Sequence, residues 1–192
     1  LVTRGGSLTL DGCDVDRNTC PGRYGGGVEI SDSDLFAYDS RITNNSAGYT
    51  GGIRLNRANV VDLQRCLISG NQATYNAGGL WVFYTEPTVV DCDFTANTCR
   101  TGGGVKVESS SAQFENCDFT GNTATNGSGG AFLLDEAVTT LLNCTVSDNQ
   151  ASGGGGVSSL SSTLIAKGCT VANNRTVGDG GGVYGFGSTI QL

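Results

Sequence analysis

Short runs in which apolar and polar residues alternate recur along the whole chain. Leu8 and Leu10, Leu35 and Ala37, Val61 and Leu63, and Leu164 and Ala166 each flank a residue of the opposite facing. A period of two predicts β-strands, and no segment sustains the 3.6-residue period of a helix. These runs return in phase with other markers. A glycine pair precedes an apolar residue at Val28, Ile53, Leu80, Val105, Ala131, Val157 and Val183, at steps of 25, 27, 25, 26, 26 and 26 residues. A second position reads Cys13, Ser40, Cys66, Cys92, Cys117, Cys144 and Cys169, with an apolar residue two further on each time. Three residues beyond that apolar position stands Asn18, Asn45, Asn71, Asn97, Asn122, Asn149 or Asn174, and two later a small residue such as Ala47 or Ala124.

A unit of about 26 residues holding three short strands cannot bury its own apolar face, but units stacked at ~4.8 Å do so together. The pattern therefore predicts an all-β chain folded as a single-stranded right-handed parallel β-helix, a solenoid of about seven coils with three short strands each. One domain is expected over residues 1–192. The asparagines recur at one turn of every coil, where an amide can donate and accept along the stack, so they are expected to form a structural ladder.

Phe94 to Asn97 and Phe119 to Asn122 spell Phe-x-x-Asn, and Gly51-Gly52-Ile53 and Gly129-Gly130-Ala131 supply the paired glycine marker. In these motifs the chain resembles the repeats of chlamydial polymorphic outer membrane proteins and related bacterial surface proteins. Other units depart by placing Val or Ile where the motif has Phe. The resemblance spans essentially the whole chain and implies a secreted or surface-displayed β-helix used in adhesion.

Composition narrows the chemistry. The net charge of −7 and the scattering of 11 basic residues argue against nucleic acid as a partner. No run reaches the ~18–20 apolar residues of a membrane span. The absence of histidine removes Ser-His and Cys-His nucleophile arrangements and the usual zinc sites, and no metal site is expected. Calcium is the one candidate ion, beside the acidic residues Asp11, Asp14, Asp16, Asp32 and Asp34 and the stacked pair Asp93 and Asp118; a solvated acidic face is the favoured reading and no cofactor is expected.

Eight cysteines fit an oxidising compartment. Two units carry Cys-Asp-x-x-x-Asn-Thr-Cys, which makes Cys13 with Cys20 and Cys92 with Cys99 candidate disulfides, against free buried thiols. Cys66, Cys117, Cys144 and Cys169 are expected as a stack of buried small side chains. Sequons begin at Asn44, Asn126, Asn143 and Asn174, and Asn126 is the best acceptor for a glycan.

After each glycine pair, alternation places Trp81, Phe83, Phe132, Leu134, Leu160, Tyr184 and Phe186 on an outer face, with Arg54, Lys106 and Glu108. That face is expected to pack laterally on another chain or domain, with sugar stacking as the rival. The chain opens on Leu1 and ends in mid-coil, so end-to-end packing on further coils or other protein chains is expected as well. The function expected is a non-catalytic extracellular or cell-surface component, structural or adhesive. A carbohydrate-binding or polysaccharide-degrading domain is the alternative, with Lys106 and Arg54 as the basic groups a lyase would need.

Overall fold

The computed structural model describes residues 1–192. All thirty strands are parallel to their neighbours and fall into four sheets of eight, eight, seven and seven strands. No helix is present. One coil shows the plan. Strand Val105–Glu108 enters the first sheet, Ser111–Glu115 the second, Asp118–Thr120 the third and Thr123–Ala124 the fourth. The chain then loops to the next glycine pair and repeats. The fourth strand corrects the three-strand expectation: the two residues after the asparagine also pair with the coils above and below, as Thr98 with Thr123 and Cys99 with Ala124.

Inward positions of the first three sheets and the turns between them merge into one core of 35 buried residues running the length of the stack, and the small residues of the fourth sheet, such as Ala47 and Cys99, are buried apart from it. The first-sheet register runs Val28, Ile53, Leu80, Val105, Phe132, Val157, Val183. Phe132, not Ala131, is therefore the inward residue of the fifth coil, and Leu134 follows it inward. Both are fully buried. The reason lies in the preceding loop. Gly130 and Ala131 take the places that Gly103 and Gly104 take one coil earlier, since Val105 N donates to Ala131 O. Gly129 is left in the loop at a φ of 76°. The paired glycines are required by close approach: a Cβ on Gly78 would lie 2.3 Å from Gly103 O.

The three tight turns of each coil share one construction. A residue with positive φ is followed, except where Ala58, Ala137 or Gly6 stands there, by a side chain that reaches back or along the stack. In one coil the left-handed residues are Ser109, Asn116 and Gly121, followed by Ser110, Cys117 and Asn122. Ser110 Oγ donates to Glu108 O at 2.7 Å and Cys117 Sγ to Glu115 O at 3.2 Å. Backbone N–H groups of the preceding coil find these same side chains, Thr85 N on Ser110 Oγ and Asn97 N on Asn122 Oδ1. Left-handed backbone disfavours most L-residues. Here the strain is offset where the turn carries a hydroxyl, thiol or amide, because that side chain serves two coils.

Candidate interaction surface

The asparagine ladder forms as expected, through Asn18, Asn45, Asn71, Asn97, Asn122, Asn149 and Asn174. Asn45 shows the full set. Its Oδ1 accepts from Asn18 N and Asn18 Nδ2, both at 2.9 Å. Its Nδ2 donates to Val15 O at 2.8 Å and to Asn71 Oδ1 at 3.0 Å. Both lone pairs and both amide hydrogens are used, which leaves nothing for a ligand. A parallel column reads Ser33, Ala58, Thr85, Ser110, Ala137, Ser162 and Ser188, each five residues after the first inward residue of its coil. Sequence reading passed over it because Ala58 and Ala137 break the hydroxyl pattern.

The outer face of the first sheet is only partly a surface. Its second-position residues Glu29, Arg54, Trp81, Lys106, Leu133 and Ser158 all point outward, yet all are buried. The loop that carries the glycines folds back over them. A Cβ on Gly154 would lie 2.8 Å from Ser158 Cβ, and one on Gly102 3.2 Å from Lys106 Cβ. Trp81, placed on the packing surface by its alternation, is thus under a loop, and Phe132 and Leu134 are in the core. What remains outward is Phe83, Leu160 and Tyr184, each half-buried, and Phe186, 67% exposed.

Beneath the loops runs a closed chain of charge and ring. Arg54 Nη1 meets Glu29 Oε1 at 3.0 Å, and its guanidinium lies 4.2 Å from the Tyr24 ring and 4.9 Å from that of Trp81. Trp81 Nε1 donates to Glu108 Oε2, which also takes Lys106 Nζ at 2.7 Å. Arg54 and Lys106, the two basic groups a lyase would need, are each matched by a carboxylate of this face. Tyr24, Tyr49 and Tyr75 stack on the loops at centroid separations of 4.8 and 5.3 Å. They lie two or three residues before their glycine pairs, a spacing visible in sequence but not singled out.

Two shallow grooves join a tyrosine to polar groups. One, of about 380 Å³, is lined by Tyr184 with Asn126, Ser128, Ser152 and Asp179. The other, of about 560 Å³, sets Tyr84 against Asn59, Glu86, Ser109 and Ser111. Asn126 is exposed at the rim of the first, so the candidate glycan acceptor is accessible. Asn44 and Asn143 instead bond Asp16 and Asn116 through their amides, and Asn174 belongs to the ladder.

All eight cysteines are free thiols. The candidate pairs Cys13 with Cys20 and Cys92 with Cys99 are therefore not joined. Each first cysteine is engaged locally and along the stack: Cys92 Sγ donates to Val90 O and accepts from Cys66 N, while Cys13 Sγ donates to Asp11 O. Cys99 lies beyond the asparagine turn in the fourth sheet, where burial pushes its thiol up to about 11.

The acidic residues are mostly answered by the next coil. Asp32 meets Arg57 at 2.9 Å, Asp39 meets Arg65 at 2.8 Å, and Asp16 accepts from Asn44 and Thr43. Those two bonds, with nearby arginines, hold Asp16 below the usual carboxylate range. Asp93 faces Asp118 directly. Partial burial and then the Asp118 charge hold Asp93 above its ordinary value. No group of three or more metal-suited side chains gathers there or elsewhere. A raised folded pKa on a carboxyl means stability lost as pH climbs through that range and regained in acid. Asp93→Asn should therefore raise the melting temperature at pH 7 by an amount worth under ~1 kcal/mol, with no gain at pH 3. Melts at the two pH values test this, and an equal gain at both would remove the repulsion as its cause.

Four parallel sheets, stacked turn columns and an interior asparagine ladder define a right-handed β-solenoid. Residues 85–191, more than half the chain, match the family model described as the right handed beta helix region, and the chain belongs to that family. No curated protein matches it.

Proposed function

We propose that this chain is a non-catalytic scaffold segment of an extracellular or cell-surface protein, structural or adhesive in role. The observation that carries this reading is the internal pairing on the outer face of the first sheet. Arg54 with Glu29 and Lys106 with Glu108 are joined at 3.0 and 2.7 Å beneath the loops, so the two basic groups of this face are committed. The surface left over is contact surface: Phe186 with Leu160 beside it, and Phe83 further along the same column, beyond Asp135 and Glu108. A lateral partner, another chain or further coils of the same protein, would cover these residues.

Carbohydrate binding is the second reading, favoured by the two grooves that set Tyr84 and Tyr184 beside amide, hydroxyl and carboxylate groups. Sedimentation over a range of concentrations, run beside a reducing-end assay on neutral and acidic polysaccharides, tests both. Concentration-dependent assembly without release of reducing ends is expected, and Phe186→Ser should weaken it at least tenfold. Cleavage of any polysaccharide overturns the scaffold reading. Monomers that bind a polysaccharide, with affinity lost in Tyr84→Ala or Tyr184→Ala, replace it with the second.

A further inference from the structure

The second turn of each coil carries more sulfur than its hydrogen bonding requires. Ser40 fills that position in the coil of Val28, donating to Tyr38 O at 2.7 Å and accepting from Cys13 N at 3.0 Å. Cysteine does the same elsewhere: Cys66 Sγ donates to Gln64 O, and Cys144 Sγ to Leu142 O, at 3.3 Å each. The first turn meets an identical demand with Ser33, Thr85, Ser110 and Ser162. A hydroxyl therefore suffices, yet five successive coils present Cys66, Cys92, Cys117, Cys144 and Cys169. What sulfur adds is the capacity to bond covalently to its neighbour.

The stack brings those neighbours within reach. In-register residues of adjacent parallel coils lie ~4.8 Å apart, inside the ~4.4–6.8 Å between Cα atoms that a disulfide spans. Cys92 Sγ lies 3.3 Å from Cys66 N, and Cys117 Sγ 3.5 Å from Cys92 N. The thiols of Cys66 and Cys92, and those of Cys117 and Cys144, lie within hydrogen-bonding reach of each other, as Cys169 does of Cys144.

We propose that this column is an oxidation site, in which peroxide converts the pairs Cys66 with Cys92 and Cys117 with Cys144 into disulfides that staple successive coils. In each pair one thiol is drawn down by its partner, Cys66 and Cys144 to about 7. The other is held up by that same partner and by burial. The lowered member is the attacking thiolate. Its sulfur attacks one oxygen of hydrogen peroxide, the O–O bond breaks, and hydroxide leaves to take up the proton the thiol had lost. The product is a sulfenic acid. The partner sulfur then attacks that sulfur, the S–O bond breaks, and water leaves with the partner's proton. Two thiols and one peroxide give one disulfide and two waters; sulfur is oxidised and peroxide reduced. Peroxide is small enough to enter a buried turn, whereas Cys66, Cys92, Cys117 and Cys144 are 2% exposed or less.

The test uses the folded, fully reduced chain treated with dilute hydrogen peroxide, alkylated in denaturant and mapped without reduction. Linked peptides joining Cys66 to Cys92 and Cys117 to Cys144 are expected, with a melting temperature above that of the reduced protein until dithiothreitol reverses it. Cys92→Ser, which repeats the hydroxyl already seated at Ser40, should remove the first link and leave the second; Cys144→Ser should do the converse. Four thiols that stay open to alkylation, or that proceed to sulfinic acid, overturn the proposal. So does a link within one coil, such as Cys92 to Cys99.

Discussion

Asn97→Ala should destabilise the solenoid by about 3–5 kcal/mol, more than any surface substitution, although it removes only an amide. Asn97 is fully buried. Its Oδ1 accepts from Asn71 N and Asn71 Nδ2, and its Nδ2 donates to Ile68 O and Asn122 Oδ1. Truncation leaves the Asn71 N–H and one Asn71 amide hydrogen without partners in the interior, and takes one donor from the Ile68 carbonyl. Each orphan costs about 1–3 kcal/mol, and the cavity that alanine leaves is no larger than about one water, too little to restore the ladder. Asn97→Asp is the informative companion, since a carboxylate can accept from Asn71 but offers nothing to Ile68 O or Asn122 Oδ1. It should be as damaging at neutral pH and milder in acid, where a protonated carboxyl regains one donor. Chemical denaturation at pH 7 and pH 4 checks both variants. A loss under 1 kcal/mol for Asn97→Ala would mean that the ladder is not a continuous network.

How far the sequence speaks depends on which residues repeat. The asparagine column was legible because all seven coils keep it, at one phase, with one residue type. The hydroxyl column at the first turn is equally regular in space, but Ala58 and Ala137 interrupt it and Thr85 varies it. The register of the fifth coil was ambiguous in principle. Gly129, Gly130 and Ala131 offer two frames one residue apart, and a one-residue slip exchanges the inner and outer faces. Phe132 and Leu134 went to the wrong side for that reason. Trp81 was assigned its direction correctly and its environment wrongly: alternation reports which way a side chain points, and says nothing of a loop laid over it. The cysteine spacing misled in a different way. Cys92 and Cys99 are near in sequence, but a solenoid makes residues about 26 apart the nearest neighbours in space. Asp93 and Asp118 were read correctly by that same rule.

Phe119→Ala should cost about 3–5 kcal/mol, and the loss should be felt unevenly along the stack. The Phe119 ring stacks on Phe94 at 5.0 Å and 13°, meets Phe114 edge-on at 5.5 Å, and lies 4.3 Å from Phe132. All four rings are fully buried. They are the bulkiest cluster of the core, and they occupy three successive coils; the coils on either side fill the same column with Ile42, Ile68, Val146 and Val171. Removing the central ring opens a cavity whose walls are backbone ladders fixed at the coil spacing, so collapse around it is restricted. Phe119→Leu should cost less, about 1–1.5 kcal/mol, because most of the volume is kept. Each coil touches only the coils above and below, so a defect in the coil of Phe119 weakens the coupling between the two ends rather than every coil equally. Hydrogen exchange on the native protein is the decisive measurement. Amides of the strands Asp93–Thr95 and Thr145–Ser147 should lose protection in Phe119→Ala to a greater degree than those of Arg41–Thr43. Uniform loss across all three strands would show that the solenoid unfolds as one cooperative unit, and that the aromatic cluster is not a local fastening.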